Sequence, residues 1–139
     1  SMNAALAYTR GDDRTNDAAL PQIAPLEANL TAKYARGKAE ANAVWRLVAR
    51  QNRFHKGYGS VTGTDSGAAG GFGILSLSLA YRPDTNLTFS LGVDNLFNKT
   101  YSEFVNHTEL ADVAGFAPPS KAHINEPGRT VWFKTNYRF

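Results

Sequence analysis

The chain has 139 residues, 42% of them hydrophobic, with 15 Lys+Arg against 12 Asp+Glu, three His and no Cys. That length fits one domain or a piece of a larger one, and the composition is too apolar for a disordered chain. The lack of cysteine excludes a disulfide scaffold, thiol catalysis and Cys-ligated zinc or iron–sulfur sites, and a net charge of +3 gives no nucleic-acid footprint.

Ser1-Met2 reads as an expression scar, leaving residues 3–139 as the working segment. No secretory signal follows, which fits either a cytosolic protein or the tail of a longer exported chain. From there period two dominates, and an all-β fold is expected. Ala4, Leu6 and Tyr8 mark a first strand. From Leu26 to Tyr34, Leu26, Ala28, Leu30, Ala32 and Tyr34 share one face against Glu27, Asn29, Thr31 and Lys33. After the tight turn Ala35-Arg36-Gly37-Lys38, Ala41, Ala43, Trp45, Leu47 and Ala49 oppose Glu40, Asn42, Arg46 and Arg50. Val44 and Val48 interrupt that polar side, and the alanines leave a helix open. Leu75, Leu77, Leu79 and Tyr81 then alternate with Ser76, Ser78, Ala80 and Arg82. A turn at Pro83-Asp84-Thr85-Asn86 leads into Leu87, Phe89, Leu91 and Val93, which oppose Thr88, Ser90, Gly92 and Asp94. The last strand sets Val131, Phe133, Tyr137 and Phe139 against Thr130, Trp132, Lys134, Asn136 and Arg138.

The links alternate long, short, long, short, long, the long ones being 11–25, 53–71 and 104–127. About six antiparallel up-and-down strands with this rhythm collect their short turns at one end and their long loops at the other. A soluble sandwich can produce this, and so can an outer-membrane barrel. Tyr34, Tyr81 and Tyr137 fall at short-turn ends, and Tyr8, Phe54, Phe72 and Tyr101 at or near long-loop ends. Two aromatic rings flanking an aliphatic band suit a membrane, although aromatics also end strands in other β proteins.

Three motifs carry a family resemblance. Leu91-Gly92-Val93-Asp94-Asn95-Leu96-Phe97-Asn98-Lys99-Thr100-Tyr101 resembles a segment near the end of TonB-dependent outer-membrane receptors. Leu20-Pro21-Gln22-Ile23-Ala24-Pro25 before a strand, and the final Tyr137-Arg138-Phe139, resemble two others. The stretch from Tyr101-Ser102-Glu103 to Asn125-Glu126-Pro127-Gly128-Arg129-Thr130-Val131-Trp132 looks like the copper-receptor branch. The resemblance implies the bacterial outer membrane, a barrel of about 22 strands around a plug, and import of a scarce metal or a chelate such as a siderophore. It also implies, as partners, membrane lipid, the plug and remaining strands, an energy-coupling protein of the TonB type and the barrel-assembly machinery. The family's plug and coupling box have no counterpart in these 139 residues, and six strands cannot close such a barrel. The segment is therefore expected to be a C-terminal barrel piece that does not transport alone. Under the resemblance, Phe139, Tyr137 and Phe133 form the assembly signal, and Asp94, Asn95, Leu96, Phe97, Asn98 and Tyr101 the family motif.

Other sites are sparse. His107, Glu109 and His123 share the last long loop, with Asp112 close by, and imidazole suits copper. Sixteen residues separate the two histidines, so solvated loop residues are the plainer reading. Met2 is the only soft ligand, so the principal metal ligands are expected elsewhere in the parent. Arg53 with His55-Lys56-Gly57-Tyr58-Gly59 suits an anionic chelate or lipopolysaccharide phosphate, or is an ordinary surface loop. No nucleophile elbow surrounds Ser60, Ser66 or Ser102, and Gly70-Gly71-Phe72-Gly73 precedes a strand, so neither an enzyme nor a resident cofactor is expected. Glu27, Lys33, Glu40, Arg46, Arg50, Lys134 and Arg138 are expected to face the lumen and to pair with each other or with the plug. The rival reading is a soluble binding or adhesin-like module whose apolar face packs a core.

Overall fold

The computed structural model describes residues 1–60, 63–65, 67–106, 108–109 and 125–139. In chain order they form β1 (Met2–Ala7), β2 (Asp12–Asp13), β3 (Ala18–Ala19), β4 (Glu27–Arg36), β5 (Ala39–Val48), β6 (Gly59–Ser60), β7 (Gly63–Asp65), β8 (Phe72–Tyr81), β9 (Leu87–Asp94), a 3-10 turn at Phe104–Asn106, β10 (Thr108–Glu109) and β11 (Thr130–Tyr137). Six of these make one sheet, β1-β4-β5-β8-β9-β11, in which neighbours are antiparallel. This is the expected up-and-down order. The β4–β5 turn is tight because Gly37 takes a φ of 57°, which glycine reaches at no steric cost.

The register keeps the two faces separate. Met2, Ala32, Ala43, Leu77, Val93 and Val131 form one row across all six strands. The adjacent row holds Lys33, Asn42, Ser78, Gly92 and Trp132. A slip of one residue would exchange the faces of a strand, and none occurs. The alanine-rich β5, for which the sequence left a helix open, is held as a strand by ten register pairs to β4 and ten to β8.

The apolar face is open. Trp45, Leu79, Leu91 and Phe133 are 48%, 59%, 50% and 67% exposed. A sandwich would bury that face under a second sheet. The other two described sheets are only small hairpin-like additions, β10-β7-β6 and β2-β3. The buried cluster of Val48, Phe72 and Ile74 lies instead on the polar side of the main sheet, with Tyr101 packed against it. This corrects the aromatic assignment: Phe72 and Tyr101 do not join an outer ring. Parity decides it, because Phe72 pairs with Val48 and Ile74 with Arg46. Val48, which broke the polar pattern, therefore anchors the inner cluster.

The three long links carry structure of their own. The first holds β2 and β3, the second β6 and β7, the third the 3-10 turn and β10. Strands of two or three residues are too short for a period to show.

Candidate functional site

The polar face is best organised at its long-loop end. Glu27 on β4 and Arg46 on β5 stand side by side through the pairing of Glu27 with Val48 and of Asn29 with Arg46. Arg46 Nε donates to Glu27 Oε1 at 2.9 Å and Nη2 to Oε2 at 2.7 Å, a bidentate pair. Asn29 Nδ2 donates to the same Oε1 at 2.7 Å. On its other side Arg46 pairs with Glu103, and Nη2 reaches Glu103 Oε2 at 3.3 Å. The guanidinium carbon also lies 5.4 Å from the Phe72 ring centre, within cation–π range. The Phe72 and Tyr101 rings are 4.4 Å apart and tilted. Burial pushes the Tyr101 phenol pKa up, and Glu126 and Glu103 add to the rise. One cation held by two carboxylates and an aromatic pair thus fixes the root of the third loop to the sheet. Beside them a concavity of about 370 Å³ is lined by residues including Asn29, Arg46, Ser76, Asp94 and Thr130.

The sequence placed Glu27 and Arg46 on this face but did not identify Glu103. Glu103 lies in an irregular segment 57 residues from its partner, where no periodicity marks it. Of the other charges expected here, Glu40 pairs with Arg82 at 3.3 Å. Asn42 Oδ1 is a buried side-chain acceptor without a partner among the described residues.

The motif after β9 is a clasp. Asn95 and Asn98 take φ of 51° and 52°, a left-handed region that asparagine tolerates better than other side chains. Asn95 is buried. Its Nδ2 donates to the Lys99 carbonyl at 2.8 Å and weakly to that of Pro127 at 3.5 Å, while its Oδ1 accepts the Lys99 N–H at 2.8 Å. The Arg129 N–H donates to Asn98 Oδ1 at 2.9 Å, and Trp132 Nε1 donates to Asp94 Oδ2 at 3.0 Å. These bonds fasten the start of β11 to the end of β9. Phe97 is exposed, and Leu96 donates its N–H to the Leu75 carbonyl at 2.8 Å.

Beyond the sheet the loops tie to one another. Arg53 pairs with Asp12, and Arg10 reaches the same carboxylate at 3.2 Å. Hydrogen bonds from Arg53 and then Arg10 hold the Asp12 pKa below the usual aspartate value. Gln51 is buried, exchanges backbone bonds with Ala69 at 3.0 Å, and donates Nε2 to the Ile23 carbonyl at 2.9 Å. The His55 and Tyr58 rings stack at 3.8 Å. Asp65 is buried: Oδ1 accepts the Gln22 N–H at 3.0 Å and Oδ2 the His55 N–H at 2.9 Å. The bonds Arg53–Asp12, Gln51–Ile23 and Asp65–Gln22 were not legible, because each joins residues on different loops.

His107 and His123 lie outside the described residues. The backbone of Glu109 pairs with that of Thr64 in β10–β7. Among the described residues no group of three or more His, Cys, Asp or Glu is placed to hold a metal ion. Phe133 and Tyr137 are on the exposed apolar face, with Phe133 6.3 Å from Phe89 and the Tyr137 ring edge-on to Phe139 at 5.3 Å. Phe139 is fully exposed, just past the end of β11.

The comparisons with known proteins agree with this geometry. The family model described as TonB dependent receptor-like, beta-barrel, matches residues 1–96. Among solved structures, the copper transporter OprC is 44% identical, with a TM-score of 0.90 over 99% of this chain and 21% of that one. A variant of the ferric enterobactin receptor PfeA from Pseudomonas aeruginosa is 23% identical, with a TM-score of 0.72 over 99% of this chain and 20% of that one. The ferric-catecholate import receptor Fiu from E. coli K12, in its closed form, is 19% identical, with a TM-score of 0.65 over 99% of this chain and 18% of that one. The last two likenesses are of fold. The chain spans about a fifth of the length of these structures. No curated protein matches it.

Proposed function

The chain belongs to the TonB-dependent receptor-like β-barrel family, and from that premise we propose that it is the C-terminal barrel segment of an outer-membrane receptor importing copper. A metal chelate is the second substrate class. The observation that carries the copper reading is the 44% identity to a copper transporter along 99% of the chain. In this reading the open apolar face meets lipid, and the polar face lines the lumen. Energy comes from a coupling protein of the TonB type. The six strands are wall and not a pore, so transport belongs to the whole receptor and catalysis to no part of this segment. His107, Glu109 and His123 sit on the third loop as auxiliary copper contacts, with the principal ligands elsewhere in the receptor. Phe133, Tyr137 and Phe139 serve recognition by the assembly machinery.

The test is copper uptake by cells lacking the full-length receptor, under copper limitation. Uptake is expected to fall and to return on complementation. Changing His107 and His123 to Ala together is expected to lower uptake modestly at normal surface levels. Unchanged copper uptake with loss of a ferric chelate would replace copper by the chelate.

A further inference from the structure

Arg10, Arg50 and Arg53 line one concavity of about 110 Å³ at the long-loop end of the sheet, and none of the described residues lining it is acidic. Tyr8 and Leu26 line it too. Both belong to the apolar face. Ala7 pairs with Glu27, so Tyr8 and Leu26 come next in the register and on the side opposite Glu27. They are 67% and 39% exposed. Leu6, paired with Ala28, and Leu30 continue the same open surface down the sheet. The apolar rows therefore end at a group of arginines.

Asp12 holds two of these arginines in place. Its carboxylate accepts from Arg10 Nε at 3.2 Å and from Arg53 Nη2, which also reaches the Gly11 carbonyl at 3.3 Å. A guanidinium carries five N–H donors in a planar fork, so most of them are left for another acceptor. Arg50 stands past the end of β5, where strand alternation no longer assigns it to the lumen. It brings the group to three cations against one carboxylate.

We propose that this concavity binds the phosphate of an outer-leaflet lipid headgroup, with the acyl chains of that lipid lying on the apolar rows below Tyr8 and Leu26. Arginine forks match phosphate oxygens in bidentate pairs, and basic pockets beside membrane-embedded surface take anionic headgroups. A tyrosine at the same level suits the interface. Free phosphate shares the anion chemistry, but only a lipid uses the charged pocket and the apolar rows together. The proposal rests on the reading of the apolar face as lipid-facing.

The experiment uses the full-length receptor purified in a neutral detergent. It is titrated with lipid A, a multi-acyl lipid bearing two phosphates, and with the same lipid after dephosphorylation, and bound lipid is counted by native mass spectrometry. The phosphorylated form should bind about tenfold more tightly or better. Arg10→Gln should remove most of that preference without changing the binding of the dephosphorylated form, and Arg10→Lys should restore part of it. Arg129 is exposed and precedes β11, at the opposite edge of the sheet from β1; Arg129→Gln removes the same charge there and should leave the preference intact. An equal loss in Arg129→Gln would overturn the site in favour of general surface charge. Equal binding of the two lipids to the wild type would overturn the phosphate site and leave the apolar face on lipid, whereas binding of neither would overturn both. Displacement of lipid A by an equal concentration of inorganic phosphate would overturn the lipid as source of the anion. Should Arg10→Gln fail to assemble, Arg50→Gln at the same rim takes its place, and a preference unchanged in that variant would overturn the site.

Discussion

Gly92 and Trp132 are opposite each other in the β9–β11 register, and the missing Cβ is what lets the indole lie flat on the strand. A Cβ at Gly92 would stand 2.2 Å from Trp132 Cζ2. The indole is held in place by its bond to Asp94. Gly92→Val must push it aside, and because a partly exposed ring can swing away the loss is capped at about 1–3 kcal/mol. The full-length receptor should then lose its compact form on gels at a lower temperature, and adding Trp132→Ala should recover part of the difference. No recovery would mean the glycine serves something other than the ring. Asp12 gives a second prediction at this scale. Its pKa is lowered by Arg53 and Arg10, so the link between the first two loops is complete above the ordinary aspartate range and fades as pH falls through the lowered folded value. The Leu20 amide, bonded to the Gly11 carbonyl at 3.2 Å, reports on that loop. Its protection factor should step down on acidification in the wild type and show no such step in Asp12→Asn.

Between elements the decisive contact is Arg46, which joins β4, β5 and the root of the third loop. Arg46→Met leaves the Glu27 and Glu103 carboxylates facing each other with side chains only about a quarter exposed. The expected loss is about 1–3 kcal/mol, between the values for surface and buried pairs. Arg46→Met combined with Glu103→Gln should be more stable than Arg46→Met alone, since one stranded charge is gone; equal stability would show that Glu103 is solvated independently. The same contact marks the limit of what the sequence discloses. Alternation is a local signal, so the strands and the facing of Leu77 or Arg46 could be read from neighbours two residues away. Arg46 joins Glu103, and Asp65 joins Gln22, across 57 and 43 residues, and nothing local encodes such partners. Phe72 misled for a related reason: its place near a strand end suggested an interfacial ring, whereas its parity with Ile74 put it inside. The Asp94–Tyr101 segment was recognised by resemblance, and only the structure gives it a physical task, two left-handed asparagines clasping β11.

On the scale of the whole molecule the question is what covers the apolar face, and two adjacent residues of one strand can answer it. Leu77 lies near the middle of β8 in the row of Met2, Ala32, Ala43, Val93 and Val131, and Ser78 lies in the next row with Asn42 and Gly92. If lipid covers the first row, Leu77→Lys places a cation near the bilayer midplane, at a cost of about 2–4 kcal/mol. Ser78→Lys sends the same charge into an aqueous lumen beside polar side chains, where a surface-like change of about 0.5 kcal/mol or less is expected. Water on both sides would make the two variants nearly alike, because Leu77 is already 38% exposed and a lysine there would be solvated. A protein core over the apolar face would make Leu77→Lys costly as well, but detergent would then not stabilise the wild type. The measurement is therefore the unfolding temperature of each full-length variant in native membranes and after transfer to detergent, with outer-membrane level as a second readout. Leu77→Lys should be depleted from the membrane and unfold earlier, Ser78→Lys should match the wild type, and thinning the bilayer should narrow the gap by bringing position 77 nearer to water. Equal behaviour of the two variants, or a gap that ignores bilayer thickness, would remove lipid from this face.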